Sequence, residues 1–172
     1  MRPAMALLVL LFAGMSTAGA GECRAAVRPL LLTAAPDPAA VAAAHELCRA
    51  EADDGDADAG YQLALFHLGL GGEWQPEVAI PLVRNAAAAG LPEAQYWLAW
   101  QQESGPLLPH DEAAALDWYL RAAGADHRLA NARLAQAYAA GELGLNADPR
   151  KAAEYRAREA RCLLREQAAE NP

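Results

Sequence analysis

Three stretches of this chain fall into one register: "AGYQLALFHLG" from Ala59, "AQYWLAWQQESG" from Ala94 and "ANARLAQAYAAG" from Ala130. The leading alanines are separated by steps of 35 and 36 residues, and Leu63, Leu98 and Leu134 keep the same spacing, each followed by an alanine. A second set aligns behind them: "AIPLVRNAAAAG" from Ala79, "ALDWYLRAAGA" from Ala115 and "AAEYRAREARC" from Ala152. Leu82, Trp118 and Tyr155 share the large position three residues after those alanines. A half-copy, "AHELCRAEADDG" at 44–55, precedes them, with Leu47 and Gly55 standing 35 residues before Leu82 and Gly90. Self-similarity at this period is the mark of a stacked repeat array, in which one unit cannot bury its apolar face alone.

Each copy reads as two helices. An Ala-Leu-Ala set at i, i+4 and i+5 makes a narrow stripe of small residues that lets a neighbouring helix approach closely. Gly105 and Gly141 are expected as left-handed C-caps of the first helices, and Gly55, Gly90 and Gly124 as the ends of the second. Asp111 and Asp148 stand where N-caps belong, and Pro149 follows at a first helical position. Asp37-Pro38 repeats that signal ahead of the half-copy, and Gln75-Pro76 is a weaker version. No strand-like alternation of useful length occurs. The fold class is therefore all-α, a short right-handed α-solenoid of helix-turn-helix repeats in about three and a half copies.

The run Ala, Leu-plus-small, Gly, Asp, then Ala-x-x-Trp-Tyr-x-Arg-Ala-Ala resembles the Sel-one-like repeat, a relative of the tetratricopeptide repeat. "YAAGELGLNADPRKAAEY" at 138–155 and "ALDWYLRAA" carry the resemblance best. The first copy departs from it, with Gly60, His67 and Pro81 at unusual places. The resemblance implies a non-enzymatic adaptor or scaffold that binds a protein or peptide, with the first helices lining the binding surface. Repeat-variable positions on those helices are the candidates: Gln62, Trp97 and Arg133 are equivalent, and so are Phe66, Gln101 and Ala137. The candidate face is thus Gln62, Phe66, Trp97, Gln101 and Arg133. Trp97 is expected to stand on it as a hot spot, and Trp100 to fill space between repeats.

The ends bound the compartment. "MRPAMALLVLLFAGMSTAGA" has one basic residue, a short apolar run and small residues before Gly21, the layout of a cleavable secretory signal. Its apolar run is too short to span a bilayer, which takes about 20 residues. Lipidation at Cys23 is disfavoured by Glu22, which stands where a small residue is needed. The expected division is a signal peptide at 1–20, an N-terminal cap segment at 21–43, the solenoid at 44–163 and a tail at 164–172, and the expected location is periplasmic or secreted. In such a compartment two of the three cysteines should pair. Cys162 ends the last helix, several layers from Cys23 and Cys48 at roughly 10 Å per layer. A disulfide needs Cα atoms within about 7 Å, so Cys23 and Cys48 form the expected bridge, stapling the cap onto the first repeat. Leu30, Leu31 and Leu32 are expected to cover the open end.

Without the first twenty residues, 13 basic residues stand against 22 acidic ones. That charge argues against nucleic acid and anionic lipid as partners, and allows a basic protein partner. An inhibitor or immunity protein for a basic toxin or hydrolase is the first alternative function. A binder or enzyme for a small, beta-lactam-like molecule is the second, by analogy with cysteine-rich penicillin-binding relatives. Against it, the equivalents of Cys48 are Val83, Tyr119 and Arg156, not cysteines. Catalysis finds little support: Ser104 lacks a glycine elbow, and the acidic run 51–58 reads as a solvated turn. His45, His67, His110 and His127 are scattered, and no cysteine or histidine spacing suits a metal. No cofactor is expected, and the chain is expected to be monomeric.

Overall fold

The computed structural model describes residues 21–170. The expected signal peptide at 1–20 and the last two residues of the expected tail lie outside the described residues. Eight helices follow one another: α1 Glu22–Leu31, α2 Pro38–Asp53, α3 Ala57–His67, α4 Pro76–Ala88, α5 Pro92–Glu103, α6 Glu112–Gly124, α7 Arg128–Ala140 and α8 Pro149–Glu170. The described residues contain no strand, only one isolated bridge between Leu68 and Trp74. Each helix packs on its chain neighbours, and α1 also reaches α3. This is an all-α helical-repeat solenoid of four helix pairs.

The aligned alanines and leucines are its core. Ala59, Ala94 and Ala130 are at most 1% exposed, and Leu98 and Leu134 at most 2%. Ala79, Ala115 and Ala152 do the same for the second helices. The core divides into three consecutive clusters: α1–α3 around Val27 and Phe66, α3–α5 around Val83 and Leu98, and α5–α7 around Tyr119 and Leu134. Aspartates start the helices as their spacing predicts. Asp111 accepts from the Ala114 N–H at 3.0 Å, and Asp148 from those of Arg150 and Lys151 at 3.0 and 3.1 Å. Such caps stabilise by about 1 kcal/mol each.

Several boundaries differ from the sequence reading. The half-copy is the C-terminal part of a full second helix that begins at Pro38, and α1 is its partner, so position 43 falls inside α2. Helix α1 lacks the Ala-Leu-Ala pattern and buries Cys23, Val27 and Leu30 at a spacing of i, i+4 and i+7. Leu31 and Leu32 are 55% and 81% exposed, so Leu30 alone of the three leucines covers the core. The expected tail is helix: α8 continues to Glu170, held back by Arg128–Glu166 and Arg165–Asp126 ion pairs at 2.9 and 3.0 Å.

Two glycines also play other parts. Gly124 belongs to α6, and the left-handed residue after that helix is Asp126, at φ 61°. Asp126 lies 36 residues after Gly90, so it is the true register equivalent. Gly105 is not left-handed. It is needed for room, because a Cβ there would lie 2.1 Å from the Gln101 side-chain oxygen. Gly141 is the left-handed C-cap expected, at φ 75°.

Candidate partner-binding face

The first helices lie side by side. Arg24 on α1 reaches Asp58 on α3 at 2.9 Å and Glu93 on α5 at 2.8 Å, and Arg133 on α7 grips Glu103 at the end of α5. Each helix turns its core leucine inward. A residue two positions later lies about 200° round the helix and must face out. Those residues are Leu65, Trp100 and Gln136: Leu65 is half-buried, Trp100 is 42% exposed and Gln136 is exposed. Tyr61, Tyr96 and Ala132 flank them, all half-buried. The result is an outward strip that runs from aliphatic Leu65 through aromatic Trp100 to polar Gln136, on helices that also carry the carboxylates of Asp58, Glu93 and Glu103.

The five residues singled out in the sequence are not brought together on that strip. Gln62, Phe66 and Gln101 are buried, at 6%, 3% and 3% exposure, and offer no surface to a partner. The Gln101 side-chain oxygen accepts the Leu107 N–H at 3.0 Å, a bond that fixes the loop after α5. Trp97 is half-buried against the α3–α5 core. Arg133 is engaged in ion pairs and 18% exposed. The reason is angular: positions one before and three after the core leucine lie only about 100° and 60° from the buried stripe. The two tryptophans have therefore exchanged the parts expected of them, Trp97 packing between repeats and Trp100 facing out.

A charged cluster closes one end of the strip. The Arg133 guanidinium donates to both Glu103 oxygens and, at 2.7 Å, to Glu142. The Tyr119 hydroxyl donates to Glu103 at 2.7 Å. Burial works to raise the Glu103 carboxyl, but Arg133 and Tyr119 hold it below the usual range. Tyr119 is pushed far up, by burial first and then by its bond to Glu103. At the other end, burial and then the Glu93 carboxylate push Tyr61 up to about 12. Tyr96 stacks on His127 with ring centroids 4.7 Å apart.

Other chemistry-bearing residues are engaged structurally. In the run 51–58, Glu51 is buried and accepts the Cys23 N–H at 3.0 Å. Asp56 caps α3 through the Ala59 N–H, Asp53 pairs with Arg49 and Asp58 pairs with Arg24. Cys23 and Cys48 are joined in a disulfide with Cα atoms 4.7 Å apart. Cys162 is a free, buried thiol that donates to the Asp126 carbonyl at 3.0 Å. Among the described residues no three histidine, cysteine or acidic side chains are grouped to hold a metal ion, and no helix is long and apolar enough to cross a membrane.

Two solved structures share this architecture. A Sel1 repeat protein from Oxalobacter formigenes is similar over 67% of this chain and 88% of its own, with a TM-score of 0.59 and 23% identity. The protein c5321, a protective antigen present in uropathogenic Escherichia coli strains displaying an SLR fold, is similar over 82% of this chain, with a TM-score of 0.64 and 25% identity. The fold is that of the Sel1-like repeat. This chain spans about a third of the second protein, 31% of its length. No protein-family model matches the chain, and no curated protein does.

Within the Sel1-like array, sequence reasoning missed the outward row and one loop residue. The row was legible in principle, since Leu65, Trp100 and Gln136 keep the 35- and 36-residue steps. Trp74 was not. It is 62% exposed in the loop between α3 and α4, where no periodicity says which way a side chain faces.

Proposed function

We infer that the protein is a secreted, periplasmic Sel1-like repeat protein that binds another protein or a peptide and carries out no catalytic step. The observation that carries this reading is Trp100, a large aromatic held 42% exposed at the centre of the first-helix strip. An exposed tryptophan with tyrosines beside it and charged groups at the margin has the composition of an interface hot spot with a polar rim. The rigid helices present it at little entropic cost on binding. The disulfide between Cys23 and Cys48 is compatible with an oxidising compartment.

The acidic chain favours one second reading, an inhibitor or immunity protein for a basic partner. The two readings differ in salt response. A partner held by Trp100 and its apolar neighbours stays bound as salt rises, whereas one held by net charge is released. The test is crosslinked capture from the native envelope with wild-type and Trp100→Ala protein, at low and moderate salt. The adaptor reading expects a salt-resistant partner that Trp100→Ala loses with helicity intact. A single stoichiometric partner released by salt favours the inhibitor. Capture unaffected by Trp100→Ala refutes the proposed face.

A further inference from the structure

Glu51 stands where the other second helices carry a core alanine. With Leu47 aligned to Leu82, its register equivalents are Ala86, 35 residues on, and Ala122, 36 beyond that. Those alanines are 2% and 0% exposed, and Glu51 is 3% exposed. One Glu51 oxygen accepts the Cys23 N–H at 3.0 Å, at the start of α1. The other is buried and has no partner among the described residues. A carboxylate taken out of water and left half-satisfied is costly unless a cation reaches it.

The nearby arginines are engaged elsewhere. Arg24 is held by Asp58 and Glu93 at 2.9 and 2.8 Å, and Arg49 by Glu46 and Asp53 at 2.7 and 3.5 Å. Arg28 is exposed, five residues beyond Cys23 along α1. The other charged groups at this end of the described chain are acidic: Glu22 on α1, Asp53 and Asp54 where α2 ends, and Asp56 and Asp58 where α3 starts. One more nitrogen stands at the start of α1, that of Gly21, the N-cap residue two positions before Cys23. Its ψ of 0° eclipses that nitrogen with the Glu22 nitrogen, which places it among the donors at the head of the helix.

We propose that the free Glu51 oxygen is the receptor for the α-ammonium of Gly21, created when the leader at 1–20 is removed, so that maturation completes the seating of α1 on α2. The inference rests on the secretion reading. A peptidase hydrolyses the Ala20–Gly21 bond: water gives its hydroxyl to the Ala20 carbonyl and a hydrogen to the Gly21 nitrogen, and the new acid's proton passes to the amine. Before the cut, that nitrogen is a neutral amide and the buried carboxylate has no counter-charge. After it, a full positive charge lies against the carboxylate. That contact outweighs the repulsion from the helix N-terminus, which carries only about half a charge.

The test uses residues 21–172 with a free or an acetylated Gly21 amine, each with Glu51 and with Glu51→Gln, which still accepts the Cys23 N–H. Followed by NMR, the free amine should titrate about one unit or more above its ordinary range of about 7.7–8.0. Because the folded state raises this value, the stabilisation is fully present below about pH 7.7 and is lost as pH rises through the folded-state value. At pH 6.5, acetylation should lower hydrogen-exchange protection of amides 23–31 by about tenfold, and Glu51→Gln should abolish that difference. An amine titrating in the ordinary range, or an equal acetylation effect in Glu51→Gln, would overturn the pairing and leave the secretion reading intact. The titration needs no variant, so it decides even where Glu51→Gln does not fold. Intact mass of the protein from its native envelope checks the cut: a chain starting at Gly21 supports the proposal, a different first residue overturns it, and an uncut chain overturns the secretion reading with it.

Discussion

Opening the Cys23–Cys48 disulfide should release one helix and leave the far end of the solenoid untouched. The bridge closes a loop with a sequence separation of 25 residues. Chain-entropy arithmetic for that loop gives a stabilisation of about 3.5 kcal/mol. The loss should fall first on α1, which has ten residues and is too short to persist as an isolated helix. Its anchors are Val27 and Leu30 in the first core cluster and the Cys23 N–H on Glu51. Glu51 is 3% exposed and its second oxygen has no hydrogen-bond partner, so solvating it opposes re-docking. Because packing runs between neighbours, α5 to α8 have no direct stake in the bridge. Hydrogen exchange on the oxidised protein and on Cys23→Ala/Cys48→Ala measures this directly. Amides of residues 22–31 should lose protection in the variant while those of α5–α8 keep theirs, and denaturation should report a loss of about 3.5 kcal/mol. Full protection of α1 in the variant with stability changed by less than about 1 kcal/mol would refute the entropic argument. A uniform loss over all eight helices would refute nearest-neighbour packing.

Arg133→Met should cost about 1–3 kcal/mol, because it leaves Glu103 and Glu142 facing each other without their shared cation; a urea series measures it. His127 caps α7 by accepting the Ala130 N–H on Nδ1, which requires a neutral ring, and burial holds its pKa below the ordinary 6.5. The unfolded state therefore binds the proton more readily. The stability from neutral His127 is fully present above pH 6.5 and is lost as pH falls through the folded-state value. His127→Asn, which can still cap, should flatten that decline below pH 6.5. The glycines make an opposed pair: Gly105→Ala should destabilise by about 1–3 kcal/mol through its clash with Gln101. Gly124→Ala, inside α6 with nothing within 4 Å of its Cβ, should stabilise by about 0.5–1 kcal/mol; thermal melts separate them.

What was legible in the sequence was whatever the repeat states three times over. Ala59, Ala94 and Ala130 with their leucines identify the core stripe because a helix returns to the same face every 3.6 residues or so. The caps at Asp111 and Asp148 follow from hydrogen-bonding chemistry at helix starts, and the disulfide from layer spacing. What was lost was angular or local. An error of one position turns a helical side chain by about 100°, enough to exchange Trp97 with Trp100 and to place Gln62 and Gln101 outside when they are inside. The left-handed turn stands at Asp126, 36 residues after Gly90, and the nearest glycine, Gly124, falls two residues short of it. Helix α1 escaped because its buried stripe of Cys23, Val27 and Leu30 lacks the Ala-Leu-Ala pattern of the other first helices.

The central claim is that a protein partner sits on Trp100, and the most direct measurement is site-specific photo-crosslinking in the native envelope. A photoreactive residue at position 100 should give one discrete adduct, and the same residue at Arg84, exposed on α4, should give none. The absence of any adduct at position 100, or an identical adduct from both positions, would contradict the account.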